Sequence, residues 1–358
     1  MLSYSGQFSR IRAVLVAFVG ALVLSACGST TPSGSGGSGP PQSSGPAPST
    51  SQGDGASTDV IGGVGRIVYL LQSFETGSFH LHMIDPDGKN TINLNPVDDL
   101  AEYTGQSWSP DGSKIAFASN RSGNANFNIF RMNADGSDIQ IIVEDSGGDF
   151  ASSWSPDGHK ILFQAWRSND TFWDIYVTNI DGSGEQVLVN TELEEQLPVW
   201  SPDGSKFAYQ AGSPGGGIDV YVASADGSNI TRITDGSGAL HSAPAWSPDG
   251  MQIAFESNRH QSPALGSEIP LALYEVYIIN SDGSKLHRLT FSDPFNEAVR
   301  NPTWSPDGKQ IAFEFHNFAT NLLQGFSTIV IMNVDGSNVY AIPNIMVGAR
   351  FPRWSPVP

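Results

Sequence analysis

Just ahead of successive Trp-Ser-Pro triplets the sequence places Asp149, Glu194, Glu195 and His241. Carboxylates and an imidazole of this kind would hold Ca²⁺ or a transition metal if they converged. His80 and His82 fall on one face of a strand at i, i+2 spacing, a weak metal signal that reads as structural. Asp85-Pro86-Asp87-Gly88 resembles the start of a calcium loop but lacks the later ligands. No Gly-x-Ser-x-Gly nucleophile elbow occurs in the body of the chain, and the serine of Trp-Ser-Pro recurs six times as a turn former. Nothing in these patterns indicates a nucleophile, so the expected chemistry is recognition, not catalysis.

The remaining reactive group is the only cysteine, Cys27, which rules out an internal disulfide or a Cys-based metal centre. Residues 1–12 are polar and carry Arg10 and Arg12, and residues 13–24 (AVLVAFVGALVL) are apolar but too short to span a bilayer comfortably. Leu24-Ser25-Ala26-Cys27 then resembles the bacterial lipobox, in which the bond before the cysteine is cut and its thiol takes a diacylglyceryl group. Residues 1–26 are therefore expected to be a lipoprotein signal peptide. Residues 27–60 are expected to be a lipidated cysteine followed by a disordered Gly/Ser/Pro tether, too poor in apolar side chains to order itself. The membrane would be held through acyl chains on Cys27, placing the protein in a bacterial cell envelope on the outer or plasma membrane.

The chain has 36 acidic against 18 basic residues, a formal charge of −18. Such a field repels a nucleic-acid backbone. Its simplest origin is solubility plus acidic turns.

The turns repeat. Trp-Ser-Pro-Asp-Gly occurs at 108–112, 154–158, 200–204, 246–250 and 304–308, and Trp354-Ser355-Pro356 near the end, with tryptophan spacings of 46, 46, 46, 58 and 50. Asp-Gly recurs between them at 87, 135, 181, 226, 282 and 335. Proline presets φ for a type I turn, aspartate suits the next position, and glycine accepts positive φ. Each repeat reads as four strands; in the third these are 197–200, 206–210, 218–223 and 229–234. Residues 66–73, 79–85 and 90–95 supply second, third and fourth strands with no first, while 350–356 supply a first with none after it. The expected fold is all-β: a six-bladed propeller over 61–358 with four-stranded antiparallel blades, closed by the C-terminal strand pairing in the N-terminal blade.

The WSPDG…IAF…S…IY…DGS pattern over roughly 64–358 resembles the TolB-type propeller repeat, shared with the propellers of prolyl-oligopeptidase-like proteins. TolB itself adds an α/β domain ahead of its propeller, a place expected to be taken here by the tether. The resemblance also implies an alternative, because some propeller lyases, oligogalacturonate lyase among them, place a metal in the channel. A carbohydrate-active or other enzyme with a cation such as Ca²⁺ at the channel mouth is that second reading; the first needs no cofactor.

Antiparallel order puts the short, repetitive SPDG and DGS turns on one face and the variable loops on the other, where binding surfaces are usually built. Candidate ligand-binding residues there are Tyr103, Asp149, Phe150, Glu194, Glu195, Gln196, His241, Arg300 and Arg350 at the channel mouth, with Arg121, Trp166, Arg167 and Arg259 from the outer loops. The long loops 257–273 and 315–326 would cover the mouth or a neighbouring blade. A monomer that binds a protein, peptide or glycan, and no nucleic acid, is expected.

Overall fold

The computed structural model describes residues 65–356, less 74–75, 96–100, 124–125, 146, 168–171, 214–215, 261–273, 293–296 and 319–325. The signal segment, Cys27 and the tether lie outside the described residues, as do the centres of both long loops.

Six four-stranded sheets account for every strand. Their innermost strands are Tyr103–Trp108, Gly148–Trp154, Glu195–Trp200, His241–Trp246, Glu297–Trp304 and Ala349–Trp354. All pairings within the sheets are antiparallel. We number the blades by their second strands, so that blade 1 holds Ile67–Gln72 and blade 6 holds Gln310–Asn317. Each second strand is an almost unbroken apolar run, such as Lys114–Ser119 or Gln252–Ser257, because it is covered by a blade on either side. Phe117, Phe163, Tyr209, Phe255 and Phe313 occupy equivalent positions in these strands and are no more than 2% exposed.

Blade 1 closes the ring as expected. Ile67 lies opposite Trp354 and Leu71 opposite Ala349. The Trp354 indole N–H donates to Gly65 O at 2.8 Å, and the Ser355 N–H donates to Arg66 O at 2.7 Å. The outer rim closes too: a side chain on Gly88 would meet Pro343 O of blade 6 at 2.1 Å, so only glycine allows the first blade to lie against the last.

The turns follow their chemistry. In the first SPDG turn, Gly112 N–H donates to Ser109 O at 2.9 Å with Gly112 at φ +69°, and Asp111 Oδ1 accepts Ser109 Oγ at 2.6 Å and Ser113 N–H at 3.0 Å. Hydrogen bonds from Ser109 and Ser113 hold the Asp111 carboxyl down at about 2. The aspartates of the turns therefore belong to the fold, and much of the acidic excess with them.

One six-fold feature was not anticipated. The residue three before each tryptophan (Gly105, Ala151, Leu197, Ala243, Asn301, Phe351) has φ between +51° and +60°. Each marks a register shift in the innermost strand. A left-handed residue costs an L-amino acid about 1–2 kcal/mol, so the bulge must be held by something; what holds it belongs to the channel.

Candidate functional site

The channel runs along the axis between the six innermost strands, with a cavity of about 780 Å³. Its wall is the repeat itself: the tryptophans, the prolines of Trp-Ser-Pro, and the bulges. Four tryptophan N–H groups bond outward, three of them to the preceding blade, as in Trp246 to Val199 O at 3.2 Å. Among the described residues those of Trp154 and Trp200 have no acceptor.

Four of the six bulges are held by side chains ten residues after a tryptophan. Leu197 N–H donates to Gln164 Oε1 at 2.9 Å and Ala243 N–H to Gln210 Oε1 at 3.2 Å. Asn301 N–H donates to Glu256 Oε2 at 2.8 Å and Phe351 N–H to Glu314 Oε2 at 3.2 Å. Each acceptor reaches from the second strand of one blade to the first strand of the next. A single polar residue inside an otherwise apolar second strand (ILFQ, FAYQ, IAFE) was the signal for them. The sequence reading passed over it.

The two glutamates behave differently. Burial pushes the Glu256 carboxyl up to about 7, opposed by Arg300 and the Asn301 N–H. Burial would also raise Glu314, but hydrogen bonds from His316, Asn301 and the Phe351 N–H leave it below the ordinary value.

Several residues expected at the channel mouth are in fact beneath it. Tyr103 (2% exposed), Asp149 (0%), Glu195 (1%) and His241 (0%) start the innermost strands with their side chains turned in between blades. Strand alternation explains this: the position five before each tryptophan faces a neighbouring blade, while the residue after it faces the mouth. The Tyr103 ring packs 5.5 Å from that of Phe117. Asp149 takes Arg167 at 2.7 Å, yet burial still lifts its carboxyl to about 6. Glu195 accepts the Thr191 hydroxyl, and burial raises its carboxyl. His241 stands edge-on to Phe255, its Nε2 at 3.5 Å from Asp235 and 3.9 Å from Asp219. Burial holds its imidazole below the usual pKa against both aspartates. Asp149, Glu194, Glu195 and His241 are thus distributed over three blades with separate partners. Among the described residues no three His, Cys, Asp or Glu side chains are grouped as metal donors.

The other candidates do lie at the variable-loop face. Phe150, Gln196, Arg300 and Arg350 are half-buried and Glu194 is exposed. Gln196 Oε1 accepts Gln210 Nε2 at 3.1 Å. Each arginine covers an aromatic ring: Arg300 over Tyr274 at 4.4 Å, Arg350 over Phe79 at 5.2 Å, and Arg121 over Phe130 at 5.8 Å. Arg167 lies over Tyr176 at 4.9 Å and also meets Glu185 at 3.1 Å. Arg259 lies over Tyr277 at 5.9 Å and takes Asp235 at 2.6 Å. Arg121, Arg167 and Arg259 occupy the same place in their blades, so part of their work is to clamp the third strand.

The same face carries an aromatic cluster. Phe127, Phe150, Trp173 and Trp166 form a chain of rings with centroids 4.6, 5.3 and 6.3 Å apart, and Trp166 is 50% exposed. Beside it a smaller hollow of about 320 Å³ is lined by Phe172, Glu194, Gln196 and Gly212 among others.

A model of the TolB beta propeller domain matches residues 169–356, more than half of the sequence. The chain belongs to this family. The TolB-family body resembles TolB from Acinetobacter baumannii with a TM-score of 0.64 and 23% identity, over 82% of this chain and 67% of that one. It resembles the putative TolB from Agrobacterium tumefaciens with a TM-score of 0.58 and 20% identity, over 83% and 100%. A chain of a nidogen/laminin complex gives a TM-score of 0.59 at 12% identity, over 81% and 98%. No curated protein matches. At such identities the likeness establishes the propeller alone, so function in this TolB-family chain must be argued from its own departures from the repeat.

Proposed function

We propose that this protein is an extracytoplasmic binding lipoprotein of the bacterial cell envelope, anchored through Cys27, which recognises a protein, peptide or glycan on its variable-loop face. The observation that supports recognition there is the ring chain ending in half-exposed Trp166. At the same place in other blades the repeat uses Asn120, Gly212, Asn258 and His316, so the fold does not ask for an indole. An exposed tryptophan beside a charged, hydrogen-bonding rim is the composition of a binding hot spot.

Residues 28–60 would give the anchored body a reach of about 30 Å from the membrane as a Gly/Ser-rich coil. Two variants test the proposal in the intact cell envelope. Cys27→Ser is expected to move the protein from the membrane to the soluble fraction; continued membrane attachment would refute the anchor. Trp166→Ala is expected to abolish photo-crosslinks placed on the loop face while leaving the melting temperature within a degree or two. Unchanged crosslinks would refute the recognition surface.

A further inference from the structure

The residue immediately before each tryptophan faces the channel, and in five blades it is Ser107, Ser153, Val199, Ala245 or Thr303. In blade 1 it is Arg353, the single charged side chain lining the channel among the described residues. Arg353 Nη1 donates to Pro352 O at 2.9 Å, and the guanidinium enters no ion pair among the described residues. Its surroundings are dry enough that burial pulls its pKa down to about 10, although Glu256 and Glu314 pull the other way. Those two carboxylates are already occupied by the bulge amides of Asn301 and Phe351. A desolvated cation without a partner is destabilising, and five sibling positions show that the propeller does not require one. Arg353 as a whole is half-buried and lines the channel, and among the described residues most of its five donors are unused.

We propose that the channel is a binding site for a ligand bearing one carboxylate on an apolar body, with the carboxylate seated on Arg353. The planar fork of arginine matches a carboxylate in two parallel hydrogen bonds. A single negative charge is specified because Arg353 is the one charged side chain on the channel wall among the described residues. The apolar body is specified by the wall of indole and proline rings, in a volume suited to a small molecule or the last few residues of a chain. Entry would be from the loop face, where Arg300 and Arg350, on the neighbouring and the same innermost strand, present positive charge on an otherwise acidic protein. This site is separate from the Trp166 surface.

The channel tryptophans supply the readout. Full-length protein in detergent is titrated with 4-phenylbutyrate and its amide, with acetyl-Ala-Pro-Phe and its C-terminal amide, and with inorganic phosphate, following tryptophan fluorescence. Both acids are expected to give saturable changes, with the amides and phosphate about ten- to a hundredfold weaker. If only the tripeptide acid binds, the source is a chain terminus; if only phenylbutyrate binds, it is a free acid. Arg353→Met is expected to lose acid binding and to melt no lower than wild type, since it removes an unpaired buried charge, while Trp166→Ala is expected to bind as wild type does. Arg353→Lys, which keeps the charge but not the fork, is expected to bind the acids more weakly and still prefer them to the amides. Equal binding of acid and amide, no binding up to about 10 mM, or full binding by Arg353→Met would overturn the proposal. A lower melting temperature for Arg353→Met would also overturn it, because the guanidinium would then be the structural counter-charge of the two glutamates.

Discussion

Glu256→Gln should stabilise the protein at alkaline pH and much less in acid. Glu256 is 5% exposed, and burial lifts its carboxyl from 4.5 to about 7. Glu314 adds to the rise, while Arg300, the Asn301 N–H and Ser242 oppose it. The folded pKa lies above the unfolded one, so the folded state holds a proton that the unfolded chain gives up. Stability is therefore lost as pH rises from the unfolded value through about 7. At about 1.36 kcal/mol per pKa unit the full loss is about 3 kcal/mol, reached near pH 8. Glutamine cannot ionise, yet it can keep the structural bond, because Gln164 and Gln210 already accept the equivalent bulge amides at 2.9 and 3.2 Å. Urea unfolding of both proteins at two pH values measures the effect. The variant should gain about 2–3 kcal/mol over wild type at pH 8, with most of the difference gone at pH 5. A variant no more stable at pH 8, or a difference equal at both pH values, would refute a neutral Glu256 in the folded state.

Two further substitutions probe the frame around the site. Trp354→Ala removes a side chain that is 7% exposed and bonded to Gly65 O, and should cost about 3–5 kcal/mol; removing residues 350–358 should abolish cooperative thermal unfolding, since blade 1 loses its inner strand. Arg167→Ala strands Asp149 in the interior and should cost about 3 kcal/mol at pH 8. The loss should shrink at pH 5, where the Asp149 carboxyl, already raised to about 6 beside Arg167, is protonated; a loss independent of pH would show the pair to be unimportant.

The propeller was legible because its punctuation is local. Each SPDG and DGS turn is specified by residues within four positions of one another, and the unmatched strands at the two ends could be paired by elimination. The fourth strands were read too long: 229–234 was expected where only Thr231–Arg232 is strand. They lie on the outer edge, where polar residues and few neighbours leave pairing weakly specified. The mouth was harder. Listing Asp149, Glu195 and His241 as rim residues followed from their place in sequence, but a one-position step along a strand reverses the facing direction, and the bulge two residues on changes it again. The acids that hold the bulges act between blades, some 45 residues from their partner in Glu256 and Asn301, so the lone polar residue in an apolar strand marks them without naming the amide they accept.

A repeat protein offers its own control for every position. Where all blades agree, as in the turn aspartates and the left-handed residue before each Pro or its equivalent, the residue is accounted for by the ring. Where blades disagree and the exception is apolar or small, packing suffices as a reason. Two exceptions that packing does not explain cost free energy in isolation: an indole left half in water at Trp166, and a guanidinium with no ion pair among the described residues at Arg353. One is exposed apolar area and the other buried charge, opposite violations of the same partition rule. They also lie apart, Trp166 on the second strand of blade 3 and Arg353 on the innermost strand of blade 1, so a single mutation cannot disturb both. Variants at the two positions should therefore have separable phenotypes, surface crosslinking lost in one and carboxylate binding in the other. If either substitution removed both activities, the face and the channel would have to be a single site.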